Sequence, residues 1–169
     1  MHLDHLPGSF FGPSNLVDLL LHRSTHQGHD RAFIFLRDAE SDEVALTYRE
    51  LDRQARAIGA RLQAMGMTGE RALLLYPAGL DFIAAFFGCL YAGVVAVPAY
   101  PPRRNRNLTR IQGICANAEA KIAMTTHEVY DRIQGVLDTT PLLSSIQWLT
   151  TDTLPPDEDT NWQRPDVHG

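Results

Sequence analysis

The sequence predicts an α/β fold, a doubly wound, mostly parallel sheet with helices on both faces, preceded by a short N-terminal hairpin. Three observations predict it. From Thr47 onward, helix and strand patterns alternate without a break, and such alternation implies parallel strands joined by helices. Residues 79–103 run from a nearly all-apolar helix across Gly93 into a Val-rich strand and a proline turn. A helix with almost no polar face must be covered on most sides. The strand patterns Arg71–Tyr76 and Val94–Pro98 show no polar alternation, as expected of strands buried on both faces. The second of these is expected at the centre of the sheet.

The elements follow in order. Residues 1–13 carry Pro7, Gly8, Gly12 and Pro13 and read as irregular. Ser14 or Asn15 can cap a helix to about His26, with Leu16, Leu19, Leu20 and Arg23 on its inward stripe. Ala32–Leu36 and Val44–Thr47 read as strands paired across the polar turn 38–42. Thr47-Tyr48-Arg49-Glu50 has the spacing of a capping box. Leu51, Ala55, Ile58, Leu62 and Met65 then mark one helical face, and Gly66 stops it. After the strand at 71–76, Pro77 and Gly79 open the apolar helix. Asp81 lies in its first turn, where its charge favours the helix dipole.

Asn105 or Asn107 can cap a helix that turns Leu108, Ile111, Ile114 or Cys115, and Ala118 inward. Lys121–Thr125 is a strand, and Thr125-Thr126-His127-Glu128 repeats the capping-box spacing before a helix bearing Val129, Ile133, Val136 and Leu137. Ser145–Thr150 is the last strand. The segment 152–169, poor in apolar residues, reads as a linker, which leaves 14–151 as the α/β subdomain.

Composition bounds the function. A chain of 169 residues, 44% hydrophobic and 21% charged, is that of one ordinary globular domain. A net charge of −5 argues against general nucleic-acid binding. The N-terminus lacks the basic and apolar regions of a secretory signal. The longest apolar run, Phe82–Pro98, is broken by glycines and too short for a membrane span. The chain is therefore expected in the cytoplasm, with Cys89 and Cys115 as buried free thiols.

Catalytic motifs are missing from the sequence. Gly88 and Gly93 have phosphate-loop spacing, but Val94 and Val95 stand where Lys and Ser/Thr are needed. There is no Gly-x-Gly-x-x-Gly and no Gly-x-Ser-x-Gly. His22, His26 and His29 lack the further ligand that a zinc site requires, so no metal is assigned. One basic cluster stands out: Arg103, Arg104, Arg106 and Arg110. It reads either as a solvated rim or as a patch for a phosphate-bearing partner. Beside it, Tyr100-Pro101-Pro102 has a rigid backbone that can wall a ligand tunnel, dock a partner, or simply stiffen a turn.

These residues carry a resemblance. Leu46-Thr47-Tyr48-Arg49-Glu50-Leu51 and Leu90-Tyr91-Ala92-Gly93-Val94-Val95-Ala96-Val97-Pro98 resemble the first two core motifs of the adenylate-forming superfamily. The continuation Ala99-Tyr100-Pro101-Pro102-Arg103, with Leu75-Tyr76-Pro77-Ala78-Gly79-Leu80-Asp81-Phe82, is more specifically similar to fatty acyl-AMP ligases. The similarity runs from about Leu16 to Gln163. It implies the N-terminal subdomain of an enzyme that uses ATP and Mg²⁺ to make a fatty acyl-adenylate. That enzyme then passes the acyl group to the phosphopantetheine arm of an acyl carrier protein serving a polyketide or peptide synthetase. It also implies that the phosphate loop, adenine motif, magnesium ligand and catalytic lysine lie downstream. This part alone is then inactive, binds neither cofactor, and has an apolar truncated face through which copies associate. Tyr100, Pro101, Pro102, Arg103, Arg104 and Arg106 become the candidate tunnel wall or partner surface. Two other readings stay open: an acyl-CoA ligase, and a non-catalytic domain that docks a carrier protein through its arginines.

Overall fold

A computed structural model describes residues 13–37, 42–102, 108–137, 140–155 and 157–165. Helix α1 spans Leu16–His26 and opens on Asn15, whose Oδ1 accepts the Asp18 N–H at 2.9 Å. Strands β1 (Arg31–Leu36) and β2 (Glu43–Thr47) pair antiparallel as the expected hairpin; the turn expected at 38–42 lies, except for Asp42, outside the described residues. Helix α2 (Tyr48–Ala64) starts at the predicted capping box. Thr47 Oγ1 accepts the Glu50 N–H at 3.3 Å, and Glu50 Oε2 accepts the Thr47 N–H at 2.9 Å. These bonds hold the Glu50 carboxyl below its usual range, so their contribution is full at neutral pH and fades as pH falls through that lowered pKa. Thr47→Ala is expected to cost about 1 kcal/mol, read as a lower urea midpoint with an unchanged slope.

The remaining elements are β3 (Arg71–Leu75), α3 (Leu80–Ala92), β4 (Val95–Ala99), α4 (Leu108–Ala118), β5 (Ile122–Thr125), α5 (His127–Leu137), α6 (Pro141–Ser145) and β6 (Gln147–Thr150). The four strands β3 to β6 pair wholly in parallel, in the order β4-β3-β5-β6. Alternation along β3 divides the core. Ala72, Leu74 and Tyr76 face α1, α2 and α3, while Leu73 and Leu75 face the layer holding Ile111, Cys115, Ile133, Leu137 and Leu143. The fold is the doubly wound layer structure that the sequence predicts.

Four local expectations change. First, β4 is not central: among the described residues it pairs only with β3, and Val95 is 55% exposed. The central pair is β3 and β5, whose residues are almost wholly buried. Apolar composition reports a strand's affinity for the core and not its place in the sheet order. Pro98 fits the edge position, because proline cannot donate to a flanking strand.

Second, the stripe of α1 is rotated. Val17 and Leu20 are buried, whereas Leu16 and Leu19 are exposed.

Third, the capping box expected at Thr125 does not form. The Thr125 hydroxyl is buried and donates to the Leu75 carbonyl at 2.6 Å, and Thr126, one residue later, accepts the Val129 N–H at 3.4 Å. Glu128 turns instead to Arg132. The bond to Leu75 turns the Thr125 side chain toward β3, and the N-terminus of α5 is capped from Thr126 instead.

Fourth, Pro141 opens the extra one-turn helix α6 rather than only ending its predecessor. The caps expected at Asn105 or Asn107 lie outside the described residues.

Both cysteines are buried and free. The Cys89 thiol lies 3.7 Å from Met124 Sδ, and burial pushes its pKa up to about 12, which leaves it an inert packing group. No helix among the described residues is long and apolar enough to cross a membrane.

Candidate functional site at the carboxyl end of the sheet

The strand order fixes where a ligand can enter. After β3 the chain turns to the face of α3, and after β5 to the face of α5. The two neighbouring strands therefore part their connections at their carboxyl ends, and doubly wound sheets bind ligands at such a point.

The side chains there come from three strand ends. Tyr76 follows β3, is 4% exposed, and shares a 2.9 Å hydrogen bond between its hydroxyl and Thr151 Oγ1. Burial drives its phenol pKa far upward, so it stays neutral. His127 follows β5. Its backbone N–H, one of the unpaired donors of the first turn of α5, is held at 2.8 Å by Asp152 Oδ1, which follows β6. Asp81 stands in the first turn of α3, as the sequence places it; the helix is opened by Gly79, which makes no side-chain cap.

Two clefts meet at Asp81 and Gln54. One, of about 300 Å³, is lined by Arg53, Gln54, Asp81, Thr151, Asp152 and Asp159 among others. The second, of about 410 Å³, runs under the hairpin past Phe35, Leu46, Gln54, Gly79 and Asp81. Loss of water around Asp81 raises its carboxyl pKa, the neighbouring Asp152 charge raises it further, and Arg37 opposes both. An upward shift means that the folded state holds this proton more tightly than the unfolded chain. Ionised Asp81 therefore opposes folding at neutral pH, and this penalty lifts as pH falls through the raised pKa. Asp81→Asn is expected to raise the melting temperature at pH 7, and this gain is expected to shrink as pH falls through the raised pKa and the wild-type carboxyl takes up its proton; melts across that acid range check this.

The rigid turn lies one strand away from this crevice. Tyr100 follows β4 and is 78% exposed, and Pro101 and Pro102 are partly buried. Arg103, Arg104 and Arg106 lie outside the described residues. The described residues bring no nucleophile and base together here, and among them no three His, Cys, Asp or Glu side chains converge on a possible metal position. The arrangement can shape and wall a site. Sequence reasoning missed the Tyr76–Thr151 link, because pairing across the ends of β3 and β6 needs the strand order. It also missed Trp162, an isolated aromatic in a polar segment that docks on Tyr91 with ring centroids 4.9 Å apart.

The parallel order, the crevice at the strands' carboxyl ends and the clefts beside it define a ligand-binding α/β domain of the doubly wound class. The chain belongs to the AMP-binding enzyme family, whose model matches residues 20–168. It is 44% identical over 162 residues to the medium-chain-fatty-acid–[acyl-carrier-protein] ligase JamA of Moorena producens, covering 92% of this chain and 27% of that protein. It is 32% identical over 143 residues to the long-chain-fatty-acid–AMP ligase FadD32 of Mycolicibacterium smegmatis, covering 83% of this chain and 23% of the relative. Among solved structures, the fatty acyl-adenylate ligase from L. pneumophila in complex with acyl adenylate and pyrophosphate superimposes with a TM-score of 0.76 at 34% identity, over 89% of this chain and 25% of that one. The chain thus spans about a quarter of the length of the relatives that it matches, and it corresponds to their N-terminal part.

Proposed function

We propose that the protein is the N-terminal part of a fatty acyl-AMP ligase that activates a fatty acid for an acyl carrier protein. The observation that carries this reading is the 44% identity to JamA across nearly the whole chain. In the parent enzyme the fatty carboxylate oxygen attacks the α-phosphorus of ATP, the bond to the β-phosphate bridge breaks, and acyl-AMP and pyrophosphate form. The carrier's phosphopantetheine sulfur then displaces AMP from the acyl carbon. Mg²⁺ supplies charge neutralisation on the phosphates when bound. The described residues hold no ligand set for it, so no metal step is assigned to them.

In this reading the 169 residues alone are inactive and contribute scaffold and wall. Tyr100, Pro101 and Pro102, with Arg103, Arg104 and Arg106 just beyond them, line the acyl or pantetheine path or meet the carrier. Their support is position, since the turn leaves the sheet at the ligand end. A cytoplasmic enzyme serving a polyketide or peptide synthetase fits the same relatives. Removed from its remainder, the chain is expected to self-associate through apolar side chains left in water, such as Ile34, Leu36 and Val95.

A second reading, a fatty-acid–CoA ligase, has its own observation: 33% identity over 123 residues to the putative fatty-acid–CoA ligase fadD25 of Mycobacterium tuberculosis. The two readings separate when the full-length parent receives ATP, a fatty acid, holo acyl carrier protein and free CoA together. Acylated carrier without acyl-CoA is the expected product; acyl-CoA as the main product overturns the carrier assignment.

A further inference from the structure

Arginine supplies nearly all of the positive charge of this chain. Of its 15 lysines and arginines, Lys121 is the one lysine. Lysine is among the commonest residues of ordinary globular proteins, and the two side chains differ in one chemical respect. A lysine amine can give up its proton and attack a carbonyl carbon, whereas a guanidinium stays protonated in proteins and does not.

The structure keeps the one side-chain amine away from the ligand end of the sheet. The Lys121 N–H donates to the Arg71 carbonyl at 3.0 Å, and the Lys121 carbonyl accepts the Gln147 N–H at 3.1 Å. Arg71 and Gln147 are the first residues of β3 and β6, so Lys121, itself exposed, stands at the amino end. The four residues of β5 separate it from the carboxyl end by about 13 Å, at about 3.3 Å per residue. The basic residue lining the first cleft is Arg53, and the one lining the second is Arg37. Both are exposed. Thiols are withheld as well. The thiolate is the nucleophilic form of cysteine, and burial of Cys89 and Cys115 raises the pKa of each.

This distribution suits an electrophilic product. An acyl-adenylate is a mixed anhydride and acylates amines. The amine nitrogen attacks the acyl carbon, the bond from that carbon to the phosphate oxygen breaks, AMP departs, and the nitrogen releases a proton to solvent. The product is a stable amide that turnover does not reverse. We propose that arginine replaces lysine at the ligand end of this chain so that acyl-adenylate meets cationic groups that it cannot acylate, and that Lys121 is the one side chain at which stray acyl-adenylate forms a lasting amide. This rests on the reading of the parent as an acyl-adenylate-forming ligase. Adenylate reaches Lys121 only from bulk solution, whereas an amine in place of Arg53 or Arg37 stands where the adenylate is released and its local concentration is highest.

The test uses the full-length parent carrying Arg53→Lys, with Arg37→Lys as a second variant, turning over ATP, Mg²⁺ and a fatty acid without carrier protein. Peptide mass spectrometry compares N-acylation at the substituted position with that at Lys121 in the same molecules. Acetic anhydride, applied to a sample without ATP, gives the ratio that exposure and basicity alone produce. Relative to that reference, the substituted position is expected to be acylated at least about tenfold more than Lys121. A turnover ratio equal to the reference in both variants would overturn the inference and assign the arginine excess to composition alone. Greater acylation at Lys121 would overturn it too. Pyrophosphate exchange on the same preparations separates the two readings. Exchange without the tenfold excess sinks this inference and leaves the ligase standing, and a wild-type parent without exchange sinks the ligase reading and this inference with it.

Discussion

Gly88→Ala is expected to destabilise the protein by about 2 kcal/mol, although alanine is the better helix former by about 1 kcal/mol. Gly88 lies where α3 crosses α2, and a Cβ built on it would stand 2.6 Å from the Cβ of Ile58. Cβ is fixed to the backbone, so no rotamer of Ile58 relieves this contact. The two helices must move apart, and the overpacking strain exceeds the gain in propensity. Gly113 in α4 is the matched control, because a Cβ there meets nothing within 4 Å. Gly113→Ala should therefore stabilise the protein by up to about 1 kcal/mol. Urea unfolding of both variants gives opposite signs if the α2–α3 contact is as described. Equal stabilisation would contradict it.

Trp162→Ala is expected to cost about 3 kcal/mol, with most of the loss at the seam between the tail and helices α2 and α3. The indole donates to the Tyr91 carbonyl, its ring lies against that of Tyr91, and the Arg56 guanidinium stands 4.7 Å from its centre. Arg56 is in turn held at 3.0 Å by Asp52, which also accepts the Tyr91 hydroxyl at 2.6 Å. Removing the indole leaves the Tyr91 carbonyl without that donor and opens the space beside Gly59, whose added Cβ would meet the Trp162 ring at 3.1 Å. Trp162→Phe keeps the ring contact and loses the N–H, so it should recover about half of the loss. The diagnostic readout is proteolysis: cleavage after Asn161 should rise sharply in Trp162→Ala while the core around β3 and β5 stays resistant. Unchanged susceptibility would show that the tail is held by other means.

The sequence carried the fold through local signals that tertiary structure had no reason to override. The Thr47–Glu50 capping box, the 51-55-58-62 face of α2 and the Gly93 stop at φ +68° all formed as read. Lateral order was not legible. β4 looks more strand-like than β5 in composition, yet it is the edge, because strand position depends on which way each crossover turns. Thr125 shows the same limit at one residue: its spacing to Glu128 fits a cap, but the neighbouring Leu75 carbonyl claims its hydroxyl. Motif resemblance pointed to Tyr100, Pro101 and Pro102, which follow the carboxyl end of β4. The crevice around Tyr76, Asp81, Thr151 and Asp152 joins residues up to 76 positions apart, counted from Tyr76 to Asp152, which only the strand order brings together. The tail 152–169, read as a linker, shows in its described part no apolar run that would announce an element. Its anchors are the side chains of Glu158 and Trp162 and the main chain of Gln163, whose partners lie on α2 and α3.

The most direct measurement of the central claim is fatty-acid-dependent exchange of pyrophosphate into ATP, run on the full-length parent and on the 169-residue chain. Exchange by the parent is expected to require both a fatty acid and Mg²⁺, and none is expected from the 169 residues alone. Exchange by the isolated chain would contradict its role as a non-catalytic wall, and a folded parent that gives no exchange with fatty acids of any length would contradict the assignment as an acyl-AMP ligase.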